Sequence, residues 1–509
     1  MLKIAHVFQS GMILQRQMPV HIWGCASPGE KIIVQIQGKH GQVRADESGQ
    51  WQIILPALEK SFQETMTISG EMEQQELRDI GIGEVFIAGG QSNMEFWMRY
   101  EKHYSEALAT CEDSWVRFYD VPKLSYDGKE KDFDYHNVGI WRKATKKDLE
   151  YFSAVGYYFE KKLHEDLDVP VGIIGCTWGG TRSLTWMRED HARKIQKEQT
   201  RDFFNRLKGR TYEQICAAAG EDPSNDTGNS TWSAFNDFIL PSTTSAQEIQ
   251  DFLGAEEENR ALTEQPHLQD APGTLYRHMV QKLAPYTVRG VLWYQGESDD
   301  AINGTQKNYK AALTAIMQDW REAWDNKELP FLVVQLPGFY SWFGCVDQGF
   351  PMIRQCQKEA VDEDSYAWLC SISDAGERMD IHPKDKKTPG ERLALLAERH
   401  IYGRNILADA PCLQMACLEG DRIRLRFENA GSGLSVRGSR ICALQVTADG
   451  QKLDFSEMIL GDMVILSLSG GPFEKVRVEF ACEPWYQVNL YNSAGIPAIP
   501  FCILCSENT

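Results

Sequence analysis

Four short stretches of the chain place chemically useful residues directly after an apolar run. "VFIAGGQSNMEF" carries Gly89, Gly90, Gln91, Ser92 and Glu95, and "GIIGCTWGGT" ends in Gly179, Gly180 and Thr181. "GVLWYQGESD" brings Gln295, Gly296, Glu297 and Asp299, and "SYAWLCSISDAGERMDIHP" brings Asp380, His382 and Pro383. A hydroxyl, an imidazole and several amide donors are what acyl transfer needs: a nucleophile, a base, and hydrogen-bond donors for the oxyanion that forms on the attacked carbonyl.

Each stretch alone also has a bland reading. Ser92 and Glu95 have the spacing of a helix capping box, "DIHP" fits an ordinary turn, and "YQGES" fits a solvated one. "WGGTRS" reads equally as a glycine turn at a helix start, although no phosphate-loop or dinucleotide pattern is present. Most of the 11 histidines, such as His164 and His400, lie in helical or strand-like patterns, whereas His382 lies in a polar loop. Read together, the four stretches make Ser92 the nucleophile at the tip of a strand-to-helix turn, where only glycine permits close backbone approach. His382 is then the base and Asp380 the acid beside it; Gly179 or Gly180 and the Gln295 amide are donors to the oxyanion.

Residues used in this way must be gathered by a scaffold. In open α/β sheets the ends of the parallel strands do this, because ligands collect beyond their carboxyl ends. The runs "GEVFIAGG", "PVGIIGCTWGG", "VRGVLWYQGES" and "LPFLVVQLPGF" are nearly continuous apolar strands, and "SAVGYYFEKKLHEDL" and "YKAALTAIMQDWREAW" are helical in period. That pattern predicts a parallel sheet covered by helices on both faces. Before it, "MPVHIWG", "KIIVQIQG" and "WQIILPAL" alternate between turn signals and predict a small β-sandwich over residues 1–80. The α/β region is expected over 81–405, with a polar, largely helical insertion at about 188–274. "DRIRLRFENAG", "MVILSLSGG" and "KVRVEFAC" predict a second β unit over 406–509.

At 509 residues the chain has material for two or three such units. With 53 Lys+Arg against 72 Asp+Glu its net charge is −19, which argues against nucleic acid or an anionic membrane surface as partner. The opening "MLKIAHVFQSGMILQ" has no secretory-signal pattern and no apolar run is of membrane-spanning length, so the expectation is a cytoplasmic protein. The 13 cysteines are scattered, mostly in apolar surroundings, and read as reduced core residues. The terminal "CILC" has no second pair, and neither a metal nor another cofactor is expected. The 14 tryptophans suit either a core or stacking on sugar rings. Nothing here signals an oligomeric state.

At the four stretches the sequence resembles the SGNH hydrolase superfamily, and more closely its carbohydrate esterase branch, the sialate O-acetylesterase family. "GEVFIAGGQSNMEF", "WGGTRSLTWM", "LYRHMVQKLAPYTVRGVLWYQGESD" and "DIHPKDKKTPGERLA" resemble its four site blocks. "VFQSGMILQRQMPVHIWGCASPGE" and "NLYNSAGIPAIPF" resemble its terminal β regions. The resemblance implies a three-layer α/β/α core and a metal-independent serine esterase acting on O-acetylated sugars. It assigns Ser92 as nucleophile with its own N–H in the oxyanion hole, Gly179 and Gln295 as the other donors, and His382 as base. The superfamily's acid stands three residues before the histidine, where this chain has Met379; Asp380 is one residue nearer, and a carbonyl or Asp374 are alternatives. For a sialate carboxylate, Arg182 and Arg354 are candidate cations. Acetylated xylo- or manno-oligosaccharides are the alternative substrates. A silent carbohydrate-binding protein, or a lipase or thioesterase, are the other classes.

Overall fold

In the computed structural model the described residues are 1–125, 138–207, 268–299, 304–342 and 349–506, together with 209–210, 214, 240–241, 248 and 345–346. They form two compact units. The first is Met1–Gln295, Ala311–Phe331 and Lys384–Gly390, and the second is Gly296–Lys310, Leu332–Pro383 and Glu391–Thr509.

The spine of the first unit is one 17-residue strand, Gln74–Gly90. Its first six residues alternate between exposed and half-buried, and from Ile80 onward every residue is buried. The early part pairs antiparallel with Ser61–Ser69, and Gly81–Gly83 pair in parallel with Ile13–Gln15. The later part lies between two parallel neighbours, Val171–Thr177 and Gly290–Tyr294. This explains the change of character near residue 80: the strand runs on, but from there it is covered on both faces and its polar alternation stops. Asp113–Asp120 extends the sheet in parallel, and Trp141–Ala144 closes that edge antiparallel. Around the early part, Lys3–Ile4, Val20–Cys25 and Gln50–Leu55 make a three-stranded antiparallel sheet, and Lys31–Ile36 joins Lys39–Arg44 and Ser61–Ser69.

The helix Ala154–Leu167 packs on Val171–Thr177. Ser153 Oγ accepts the Gly156 N–H at 3.1 Å as its cap, and Asp168 ends it in a left-handed conformation at φ +52°. Of the polar insertion, the described part is the helices Glu189–Ile195 and Lys197–Leu207; most of the remainder lies outside the described residues.

In the second unit, the helix Phe350–Asp362 packs on the strand Ala367–Cys370, and Gln335 N–H donates to Cys370 O at 3.0 Å. The C-terminal part holds two four-stranded antiparallel sheets, and Ile423, Leu425, Val464, Leu466, Val476 and Val478 meet in one core. Cys502 is exposed and Cys505 buried on the strand Phe501–Ser506. An i, i+3 pair on a strand points to opposite faces, so "CILC" has no shared ligand position. Among the described residues no helix is long and apolar enough to cross a membrane.

Candidate active site

The three parallel strands of the first unit end level, because the register pairs Gly90 with Thr177 on one side and with Tyr294 on the other. The residues that follow, Gln91–Ser92, Trp178–Gly179 and Gln295, therefore leave the sheet at one edge. Backbone hydrogen bonds lace these exits together: Gln91 N–H donates to Tyr294 O and Trp178 N–H to Gly90 O, both at 3.1 Å. Gly90 sits at φ +133°, and a β-carbon there would lie 2.1 Å from Tyr294 O. Gly89 is pressed against Trp320 and Trp293, where a β-carbon would come within 2.9 and 3.1 Å. The paired glycines are required by their neighbours.

Ser92 opens a single helical turn, Ser92–Glu95, and is half-exposed. The cap position belongs to Gln91, whose carbonyl accepts the Met94 and Glu95 N–H groups. The capping box suggested by Ser92 and Glu95 is not formed. Glu95 reaches a charged lysine and a backbone N–H instead: Oε1 accepts Lys123 Nζ at 2.6 Å and Oε2 accepts the Gly179 N–H at 2.7 Å. Such charge-assisted bonds outweigh a neutral cap.

Gly179 lies beside the nucleophile, since a β-carbon on it would be 3.4 Å from Ser92 Cβ. Its neighbour Gly180 is exposed at φ +75°, with nothing within 4 Å of where a β-carbon would stand. Gln295 is fully buried, and its Nε2 donates to Gln91 Oε1 at 3.1 Å and to Thr181 O at 3.3 Å. The Gln295 amide thus links the Ser92 turn to the Gly179–Thr181 turn. Next to Ser92, Asn93 Oδ1 accepts a short hydrogen bond from buried Lys386 Nζ, whose ammonium also lies 4.6 Å from the Phe96 ring centroid.

In the second unit, Asp380 and His382 are both largely buried. Asp380 Oδ1 accepts the His382 backbone N–H at 2.8 Å, while His382 Nδ1 is 3.9 Å away, beyond hydrogen-bond range. In this arrangement Asp380 shapes the turn and contributes its charge to the imidazole, with no hydrogen bond to the ring. Trp342 meets the imidazole edge to face, with centroids 5.0 Å apart at 83°. Asp374 is tied elsewhere, its two oxygens accepting Arg392 at 2.7 and 2.9 Å.

Other sequence candidates sort by burial. Arg354 is 1% exposed and donates to Pro337 O and Glu483 O, which makes it structural. Arg182 is half-buried two residues past Gly180. Trp186, Trp293 and Trp320 form a packed cluster under the strand ends, so these tryptophans serve the core. Glu101, His103 and Asp385 bring ligand-type atoms within 4.8 Å of one another, but Glu101 accepts the Tyr158 hydroxyl at 2.9 Å and Asp385 caps Thr388. Burial pushes the Glu101 carboxyl above its usual range. Sequence reasoning gave Glu95 only a capping role and passed over Lys123, because "VPKLS" carries no motif.

A family model described as "Carbohydrate esterase, sialic acid-specific acetylesterase" matches residues 224–382. The Sialate O-acetylesterase of Mus musculus is 25% identical over 446 residues, covering 80% of this chain and 75% of that protein. The human protein of the same name is 24% identical, covering 80% of this chain and 73% of its own length. A crystal structure described as a novel carbohydrate acetylesterase from Xanthomonas citri superposes with a TM-score of 0.76 at 27% identity, covering 98% of this chain and 99% of that one. With its mixed α/β fold and these likenesses, the chain is a carbohydrate esterase similar along most of its length to the sialate O-acetylesterases.

Proposed function

We propose that this enzyme removes O-acetyl groups from a sugar through an acetyl-enzyme at Ser92. His382 takes the Ser92 proton, Ser92 Oγ attacks the acetyl carbonyl, and the sugar leaves as an alcohol after receiving that proton. Water activated by His382 then releases acetate. The observation that carries this reading is the level ending of the three strands, which sets half-exposed Ser92 against the Gly179 turn and the buried Gln295 amide. Asp380 is the nearby acid in the proposed set, acting through the turn and its charge. A core of SGNH type with a β-sandwich at either end is the finer fold that accompanies the reading, and a cytoplasmic location remains part of it.

For the substrate, the names of the mouse and human relatives favour an O-acetylated sialic acid, with Arg182 as the cation for its carboxylate. An acetylated neutral oligosaccharide is the second reading; it is favoured by the net charge of −19. Acetate release from acetylated sialic acid and from acetylated xylo-oligosaccharides decides between them. Arg182→Ala should raise KM for the sialate alone if the first holds. Ser92→Ala should abolish turnover with the fold intact, and activity retained there would end the proposal.

A further inference from the structure

The carboxylate of Glu95 does something that a cap would not. One oxygen accepts the Gly179 N–H at 2.7 Å and the other accepts Lys123 Nζ at 2.6 Å. Both side chains are largely withdrawn from water, at 17% exposure for Glu95 and 10% for Lys123, so the bonds are little screened. Lys123 also lies 5.9 Å from the ring centroid of Trp178, the residue before Gly179. The acid and its cation therefore grip one turn, the turn that stands against Ser92 Cβ.

Resting on the Ser92 reading above, we infer that Glu95 is a positioning residue for acyl transfer. It begins on the same helical turn as the nucleophile and ends on the backbone of the neighbouring strand exit, fixing the Trp178–Gly179 peptide relative to Ser92. That peptide has a sharp demand on it. Gly180 beyond it adopts φ +75°, and glycine pairs in such turns are loose unless something holds them. Oxyanion donors act only if they are already aimed when the charge develops. A carboxylate anchored by a buried ammonium holds such a peptide more firmly than a neutral acceptor, since charge-assisted hydrogen bonds are roughly twice as strong. Gly179 N–H is donated to Glu95 in this structure and is therefore not the N–H offered to the oxyanion; the carboxylate acts by fixing how the turn presents Gly180, the alternative donor, to an incoming ester. Lys123 offsets the charge of the carboxylate through the opposite oxygen, a charge that would otherwise oppose an oxyanion forming near this turn.

The test compares Glu95→Ala and Glu95→Gln with the unaltered enzyme on p-nitrophenyl acetate and on the best acetylated sugar. It also follows the rate at which a fluorophosphonate labels Ser92. Glu95→Ala is expected to lower kcat by about tenfold or more with KM changed less than about threefold, and to slow labelling by a similar factor. Glu95→Gln retains an acceptor for the Gly179 N–H and should recover most of the lost kcat. Circular dichroism and thermal melting confirm that both variants fold; if the alanine variant does not, the glutamine variant and Lys123→Met carry the comparison, with Lys123→Met expected to slow labelling. Turnover by Glu95→Ala at or above the wild-type rate would overturn the inference. So would a fall in sugar turnover with unchanged fluorophosphonate labelling, which would make Glu95 a sugar contact. Loss of turnover in Ser92→Ala with full activity in Glu95→Ala sinks this inference alone, whereas full activity in Ser92→Ala sinks both.

Discussion

The strand Gln74–Gly90 has a glutamate near each end of its buried half, and the two are used differently. Glu84 is fully buried at the entry. It accepts Arg16 Nε at 2.6 Å, Arg289 Nε at 2.9 Å and Gln15 Nε2 at 2.8 Å, so its charge and lone pairs are absorbed by side chains from the N-terminal segment and from the start of the neighbouring strand. Glu95, just past the strand's far end, has one cation and one backbone N–H, and stays half-buried. The entry is closed by ion pairs and long side chains. The exit is closed by glycines and backbone hydrogen bonds, leaving Ser92 half-exposed. One end is built for stability and the other for access, and substitutions at the two ends should fail in different ways.

The sharpest break is expected at the exit. Gly90→Ala places a methyl group 2.1 Å from Tyr294 O at a φ of +133°, a clash with backbone that no side-chain motion relieves. We expect a loss of at least about 3 kcal/mol in stability, or insoluble protein, and no esterase activity in whatever folds. Denaturant melts and p-nitrophenyl acetate turnover measure both. Next comes the entry: Glu84→Ala leaves Arg16 and Arg289 without their shared acid and should cost about 3–5 kcal/mol, read by urea denaturation. Folded Glu84→Ala should keep near wild-type kcat. A large kcat loss without a stability loss would show that the two ends are not separable in this way.

The sequence displayed this division unevenly. The later half of the strand was legible because burial on both faces requires an unbroken apolar run, and "GEVFIAGG" is one. Ser92, Gly179 and Gln295 were legible because each follows such a run, so a level register brings them to one edge. The continuity of the strand through residue 80 was hidden, since its polar early half looks like a separate β unit. Glu95 was misread for a related reason: the Ser-x-x-Glu spacing describes a local contact, while its partners Lys123 and Gly179 are supplied from 28 and 84 residues away. Asp374 and Arg354 stood out as charged residues near the site blocks, but their partners, Arg392 and two backbone carbonyls, are set by packing that no motif encodes.

A smaller and pH-dependent effect tests the stability side of the comparison away from the strand itself. Glu160 on the helix Ala154–Leu167 is completely buried, and burial holds its carboxyl well above the usual range, with Asp113 adding to the rise. A carboxyl with a raised folded pKa favours the folded state fully only below its unfolded pKa, and that contribution is lost as pH rises toward the folded value. Each pH unit in that window is worth about 1.4 kcal/mol. Glu160→Met, which fills a similar volume without a titratable group, should therefore raise the melting temperature at pH 8 by more than at pH 4.5. Esterase activity should be unchanged. An equal shift at both pH values would show that the group does not titrate between them.

The smallest effect is expected at Asp380, where position and bonding point in opposite directions. By position it is the acid beside the proposed base, as Glu95 is the acid beside the proposed nucleophile. By bonding it holds the fold, as Glu84 does, although through a backbone N–H where Glu84 uses side chains: Oδ1 holds the His382 N–H at 2.8 Å, and Nδ1 of the ring is 3.9 Å away. An asparagine oxygen accepts the same N–H, so Asp380→Asn preserves the turn and removes only the charge. The expected loss in kcat/KM is less than about tenfold, against the roughly ten-thousandfold loss when the acid of a true Ser-His-Asp triad is replaced in this way. Asp380→Ala, which also removes the acceptor, should be worse than Asp380→Asn, since the backbone that carries His382 then loses its hold. If the two variants are equally inactive, the charge itself orients the imidazole, and Asp380 belongs with the acids that act on the reaction rather than with those that hold the fold.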